Sequence, residues 1–243
     1  MKKTNYFYID EAGHINNDSN IFIHGCIKTD SPETLLKTIN EIKEEILNDD
    51  YFIEDIEAIQ LQGFHAVENH PDVRKHYYKR LHYFNFRAYF VVVNKKTDYF
   101  KNLKTDKEDF EIFEMFLRKL INDRIESNKN DKNIFYFENI EIAKKSLRNI
   151  VKDVFESFDE TFDLEYHIAG KELINLSIID YLNYILYSIL KSDKKDDRME
   201  KNFNLISPKI GVINILHKNV FLGRKKTDNK KINITNLKRE YSG

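Results

Sequence analysis

A single cysteine, three prolines, seven glycines and no tryptophan among 243 residues exclude several architectures. One thiol, Cys26, can neither close an internal disulfide nor furnish a multi-thiolate zinc site. Zinc fingers are thereby excluded and a reducing cytoplasm is the expected location. So few prolines and glycines leave no linker rich in either, and no visible boundary for a second domain. No run approaches the roughly 20 apolar residues of a membrane span. The best, Ala88 to Val93, has the length of a strand. Lys2 and Lys3 precede an apolar stretch that Asp10 and Glu11 interrupt, so no secretory leader is expected. The glycine-rich phosphate loops GxGxxG and GxxxxGKS or GxxxxGKT are missing too, which removes motif support for a dehydrogenase or a nucleotide-driven motor.

What the chain has in quantity is charge and aromatic bulk. Charged residues make up 33% of it, with 39 Lys and Arg against 40 Asp and Glu, and 18 Phe and 14 Tyr supply material for a sizeable core. The near-neutral total conceals an asymmetry. Residues 191–243 carry a net charge of +8 and residues 1–190 one of −9. Within this basic C-terminal extension, Arg224, Lys225, Lys226, Lys230 and Lys231 form a cluster that could neutralise phosphates of a nucleic acid. A solvated loop in a lysine-rich protein is the plainer reading of the same run.

Periodicity predicts the element order. Tyr6 to Ile9 and Ile21 to Lys28 read as strands joined by a polar loop containing Gly13, Asn16, Asn17 and Asp18, hence an antiparallel pair. Ser31 and Pro32 introduce a helix with Leu35, Leu36, Ile39, Ile42 and Ile46 at helical spacing. Phe64 to His70 reads as a loop, and Pro71 opens a helix to about Tyr83. Phe86 to Val93 is the strongest strand signal and is expected to lie centrally. After Asp106 a long helix presents Phe110, Phe113, Phe116, Leu117, Leu120, Ile121 and Ile125. Ile134 to Phe137 forms a strand, Ile142 to Phe155 a helix, Leu164 to Ile168 a strand and Leu173 to Leu190 a last long helix. Strand and helix alternate in the second half, which implies parallel strands, while the first three strands can pair antiparallel. The expectation is an α/β fold: a ribonuclease-H-like mixed sheet flanked by helices over residues 1–190. It carries a helical insertion at about 31–84, after the second strand, and 191–243 follow as an extension that is not an independent domain.

Three acids stand where an acid is locally inconvenient. Asp10, followed by Glu11, ends the strand of Tyr6, Phe7, Tyr8 and Ile9, where a structural turn aspartate is an equal alternative. Glu138 ends the strand Ile134 to Phe137, and Asn139 after it could instead cap the next helix. Asp180 interrupts the apolar run Leu176 to Leu182, with Ser177, Asn183, Tyr184 and Tyr187 on its helical stripe. A partly buried carboxylate there needs a partner or a cation, unless the stripe faces solvent. Sites in parallel sheets form at the carboxyl ends of strands, so Asp10, Glu138 and Asp180 can meet at one edge. Carboxylate oxygens clustered in this way suit Mg²⁺ or Mn²⁺, and two such ions would support phosphodiester cleavage. In the segment Phe64 to His70, His65 and Glu68 could add a ligand, a proton-transfer group or a substrate contact, against the default of a surface loop. Cys26 is most simply a core residue.

Tyr8, Ile9, Asp10, Glu11, Ala12 and Gly13 together resemble the YIDESG opening of a mostly prokaryotic domain-of-unknown-function family, number three thousand eight hundred. Leu176 to Tyr181 resembles its late LQ(L/V)AD(L/Y) helix, and the His65 segment is similar to its mid-chain histidine element. The resemblance runs from about Tyr6 to Leu190. Ala12 replaces the usual serine, Ser177 and Ile179 replace glutamine and alanine, and Glu138 stands where ribonuclease-H-like sites commonly have aspartate. Such proteins look like ribonuclease-H-fold members with a carboxylate metal site, many of them suspected of roles in anti-phage defence or mobile elements. The resemblance implies Asp10, Glu138 and Asp180 as metal ligands, with Glu11 and His65 as further catalytic candidates.

The function expected on these grounds is a cytoplasmic Mg²⁺- or Mn²⁺-dependent nuclease acting on DNA or RNA, with an activating protein partner conceivable and no membrane association. The alternative is a catalytically inert ribonuclease-H-like module that binds a protein or nucleic acid. A third reading is a hydrolase acting on a small phosphorylated molecule.

Overall fold

The computed structural model describes residues 2–16, 19–54, 56–142, 145–170, 173–191, 196–223 and 227–242. In chain order the elements are β1 (Thr4–Ala12), β2 (Ile21–Thr29), α1 (Pro32–Leu47), α2 (Ile56–Gln62), α3 (Pro71–Leu81), β3 (Arg87–Asn94), α4 (Asp98–Asp106), α5 (Asp109–Glu126), β4 (Lys132–Glu138), β5 (Glu141–Ile142), β6 (Lys145–Ser146), α6 (Leu147–Phe155), β7 (Asp163–Ala169), α7 (Leu176–Lys191), α8 (Asp197–Ile206), β8 (Ile210–Ile215), β9 (Val220–Leu222) and α9 (Ile234–Ser242).

Among the described residues the main sheet has seven strands in the order β7-β4-β1-β2-β3-β8-β9. β2 pairs antiparallel with both β1 and β3, while β4 runs parallel to β1 and β7 parallel to β4. A central first strand, an antiparallel meander on one side and parallel strands added on the other make a ribonuclease-H-like α/β sheet. The helical insertion after the second strand is present as α1, α2 and α3.

Alternation along β1 decides which side chain faces which layer. Phe7 and Ile9 point into a core formed with α4, α5 and α6, while Tyr8 points into the other layer with α1, α3 and α7. The apolar stripe of α5 lies in the first of these cores, with Ile112, Phe113, Phe116, Leu117, Leu120, Ile121 and Ile125 buried. α7 is buried nearly all round and packs on β1 and β2. Its close approach depends on Gly25, where a Cβ would lie 2.1 Å from Asn183 Oδ1 and 2.6 Å from Ile179 Cδ1. Gly13, at φ +78°, turns the chain out of β1 in the left-handed region that glycine enters freely. Cys26 is fully buried, as a core residue.

Several local expectations change. Pro71 opens α3, but the helix ends at Leu81. Ile142 belongs to the two-residue strand β5, and α6 begins at Leu147 after Ser146, so Asn139 does not cap it. Helix α4 has no counterpart in the sequence reading. The largest addition is in residues 191–243. β8 pairs parallel with β3, and α8 and α9 bury Phe203, Ile206 and Leu237 against the α7 layer. The extension is therefore woven into the sheet and core, not appended to them.

Candidate active site

β1 and β4 are neighbouring parallel strands whose register pairs Ile9 with Phe137. Asp10 and Glu138 are the next residues on each. By alternation they share the face of Tyr8 and Tyr136, the side on which α7 lies. Asp180, on α7, reaches the same carboxyl-terminal edge, where it lines a small cavity with Glu138, His65, Phe64 and Ser177. The structure thus brings Asp10, Glu138, Asp180 and His65 together at one edge. Glu11 alternates to the opposite face and lines a second cavity with His14, Asn16, Asp109 and Phe113.

The carboxyls feel one another across this edge. Burial, followed by the charges of Glu11, Asp180 and Glu138, pushes Asp10 well above the usual carboxylate range. Burial and then Glu138 raise Glu11 to about 7. Burial raises Asp180 to about 6, against the opposing pull of the Ala66 N–H and His65. Gathering Asp10, Glu11 and Asp180 where these three ionise with difficulty costs stability, and a cation among the acids would repay that cost.

Asp180 and Asp10 are also held in place. Ala66 N–H donates to Asp180 Oδ2 at 2.8 Å, and His65 Nδ1 lies 3.8 Å from the same oxygen. The side chains of His65 and Asp180 are 23% and 27% exposed, open enough to meet a ligand. Asn183 Nδ2 donates to Asp10 Oδ2 at 3.3 Å. The loop bearing His65 is fastened by Asn69, whose Oδ1 accepts from His65 N–H at 2.8 Å and from the Tyr181 hydroxyl at 2.7 Å. Arg74 reinforces it by donating to Ala66 O and to the Tyr184 hydroxyl.

Sequence reasoning did not find Asn69, Arg74 and Asn183 as positioning groups. Asn183 had a signal, since it lies on the polar stripe of Asp180, and in the structure that stripe divides. Ser177 and Asn183 are buried, while Asp180 and Tyr184 stay half-buried. Glu68 is exposed.

The donor set fits a hard divalent cation, being made of carboxylate oxygens with one imidazole nearby. Among the described residues, no three of His, Cys, Asp and Glu are already gathered closely enough to hold a metal ion. Holding one would therefore require the side chains of Asp10, Glu138 and Asp180 to rotate toward each other.

The basic cluster lies elsewhere. Arg224, Lys225 and Lys226 fall outside the described residues. Lys230 and Lys231 follow β9, near Gly223 at the opposite edge of the sheet from the acids, and Lys231 pairs with Asp228 at 2.7 Å. No helix among the described residues is long and apolar enough to cross a membrane. In comparisons with known proteins, the chain matches no protein-family model and no curated protein.

Proposed function

We propose that the protein is a divalent-metal-dependent nuclease that hydrolyses phosphodiester bonds at the carboxyl edge of β1 and β4. The observation that carries this reading is the meeting of Asp10, Glu138 and Asp180, from two adjacent strand ends and one packed helix, with Asp10 and Asp180 raised by burial and by neighbouring acids. Asp10, Glu138 and Asp180 would hold Mg²⁺ or Mn²⁺, which supplies Lewis acidity and a water acidic enough to attack phosphorus at neutral pH. Asn183 keeps Asp10 turned toward the edge, and the Ala66 N–H does the same for Asp180. His65, 3.8 Å from Asp180, would give a proton to the leaving oxygen as the P–O bond breaks. Glu11, reaching the edge from the other face, is a further proton-transfer group. The likeness to the YIDESG-type family supports a role in anti-phage defence or a mobile element, and an activating partner protein belongs to that reading.

The test is cleavage of labelled single- and double-stranded DNA and RNA by wild type and Asp180→Asn, each with Mn²⁺, Mg²⁺ or EDTA. Asparagine keeps an oxygen for the Ala66 N–H while removing the charge, so the loop should stay fastened. Metal-dependent cutting by wild type alone is the expected result. Undiminished cutting by a folded Asp180→Asn would remove Asp180 from the assignment.

A second reading, an inert ribonuclease-H-like binding module, is favoured by two observations. Asp180 is already occupied in anchoring the His65 loop, and no described triad stands at ligating distance. Calorimetric titration with Mn²⁺ separates the readings, because the module would bind metal weakly or not at all.

A further inference from the structure

The sheet ends on one side at β7, and among the described residues no strand pairs with its outer edge. β7 runs in unbroken register with β4 from Asp163 to Ala169, with no proline, no lysine and no bulge. Those are devices by which proteins blunt an open edge. None of its seven residues is buried. Its backbone phase is set by the Ala169 carbonyl, which accepts from Asn139 N–H at 2.9 Å on the β4 side. Asp163, Glu165 and His167 therefore direct their peptide groups toward β4, and Leu164, Tyr166 and Ile168 direct theirs outward.

We propose that β7 is the seam of a symmetric dimer, in which a second copy of this chain adds its own β7 antiparallel about a twofold axis at Tyr166. The strand is self-complementary about that residue. Leu164 comes opposite the partner's Ile168 and Tyr166 opposite the partner's Tyr166, so that the outward peptide groups of all three find partners. Glu165 then faces the partner's His167 at a non-hydrogen-bonded position, where Cα atoms lie about 4.5 Å apart and side chains come closest. Within one chain Glu165 already holds His167 at 2.7 Å, and the imidazole is fixed by stacking on Tyr136 with centroids 5.0 Å apart. At its centre the seam gathers two glutamates and two imidazoles in alternating positions, each glutamate also paired with Lys132 at 2.8 Å. Asp163 comes opposite the partner's Ala169, so no like charges are directly opposed. On the other face Leu164, Tyr166 and Ile168 form the half-open end of the core beneath α6, beside Phe155, Phe158 and Phe162. The matching row of a second copy covers that end, which is the apolar gain that a seam of backbone bonds alone lacks.

Two measurements test this. Light scattering on the eluting wild-type protein at tens of micromolar should give twice the chain mass of 29.1 kDa, and Ile168→Lys should return the mass to that of one chain with an unchanged far-ultraviolet spectrum. The register is read by cysteine pairing. A mixture of Glu165→Cys and His167→Cys proteins should form an interchain disulfide under mild oxidation several-fold faster than either protein alone, and the buried Cys26 does not compete. A monomer at these concentrations overturns the proposal. So does a dimer whose cysteine variants pair no faster in the mixture, since its interface would then be another strand, another register or another surface. Should Ile168→Lys fail to fold, the cysteine mixture still decides.

Discussion

Asn69 shows how much of the site rests on a residue with no charge. It is 8% exposed and its Oδ1 accepts from both the His65 N–H and the Tyr181 hydroxyl. Asn69→Ala strands two donors, one of them in the core, and is expected to cost about 1–3 kcal/mol in chemical denaturation. It should also weaken any Mn²⁺ binding measured by calorimetry, because the loop that orients Asp180 loses its clasp. Asp10→Asn should behave in the opposite sense. It removes a charge that burial and neighbouring acids disfavour, so thermal stability without metal should stay level or rise while metal binding falls. A loss of stability would mean that the charge is already compensated. The acids were legible in the sequence because a carboxylate at a strand end or within an apolar helix violates a local pattern. Asn69 violates none, and Asn183 shares the stripe of Asp180 without showing what it would hold. Their partners lie 112 and 173 residues away, and only folding supplies them.

Among the elements, α7 links sheet and site. Its apolar periodicity announced a buried helix, but its distance from β2 depends on the missing side chain of Gly25, which stands opposite Asp10 in the strand register. Gly25→Ala would drive a methyl into Asn183 and Ile179. The expected cost is about 1–3 kcal/mol, read as a lower denaturation midpoint, and Asn183 should lose its hold on Asp10. The sequence could not show which glycine does this, since close approach is a property of two elements. β8 was missed for a different reason. Ile210, Ile213 and Ile215 are buried, but they lie in a stretch whose lysines dominate its composition and hide a six-residue strand. Ile142 was misplaced because one apolar residue near a helix fits helical spacing by chance.

For the molecule as a whole, the C-terminal extension determines integrity. Deleting residues 191–243 removes α8, β8, β9 and α9, and with them Phe203, Ile206, Ile213 and Leu237 from the core layer they share with α7. The truncated chain is expected to be insoluble or to lack a cooperative thermal transition by circular dichroism. A cooperative transition like that of the full chain would show the extension to be dispensable. The carboxylate edge also sets the response to pH. Glu11 at about 7 and Asp180 at about 6 lie above their unfolded values near 4, so the folded state holds more protons across that interval. Their contribution to stability is present at low pH and is lost as pH rises through 6 to 7. The melting temperature measured in EDTA should therefore fall from pH 5 to pH 7.5 where this edge dominates, and Asp180→Asn should flatten the slope.

The sequence by itself determined the layered α/β class, the insertion after the second strand, most helices and strands, and the three acids at inconvenient positions. Those features follow from local periodicity and from the cost of an acid among apolar neighbours. Tertiary structure alone decided that Asp10 and Glu138 lie side by side, because a parallel pairing between β1 and β4 is made by residues more than a hundred positions apart. It also decided that Glu11 turns to the other face, that Asn69 and Asn183 hold the acids, and that the basic extension completes the sheet. Each of these depends on which surfaces meet, and a pattern within one segment carries no record of what that segment will be packed against.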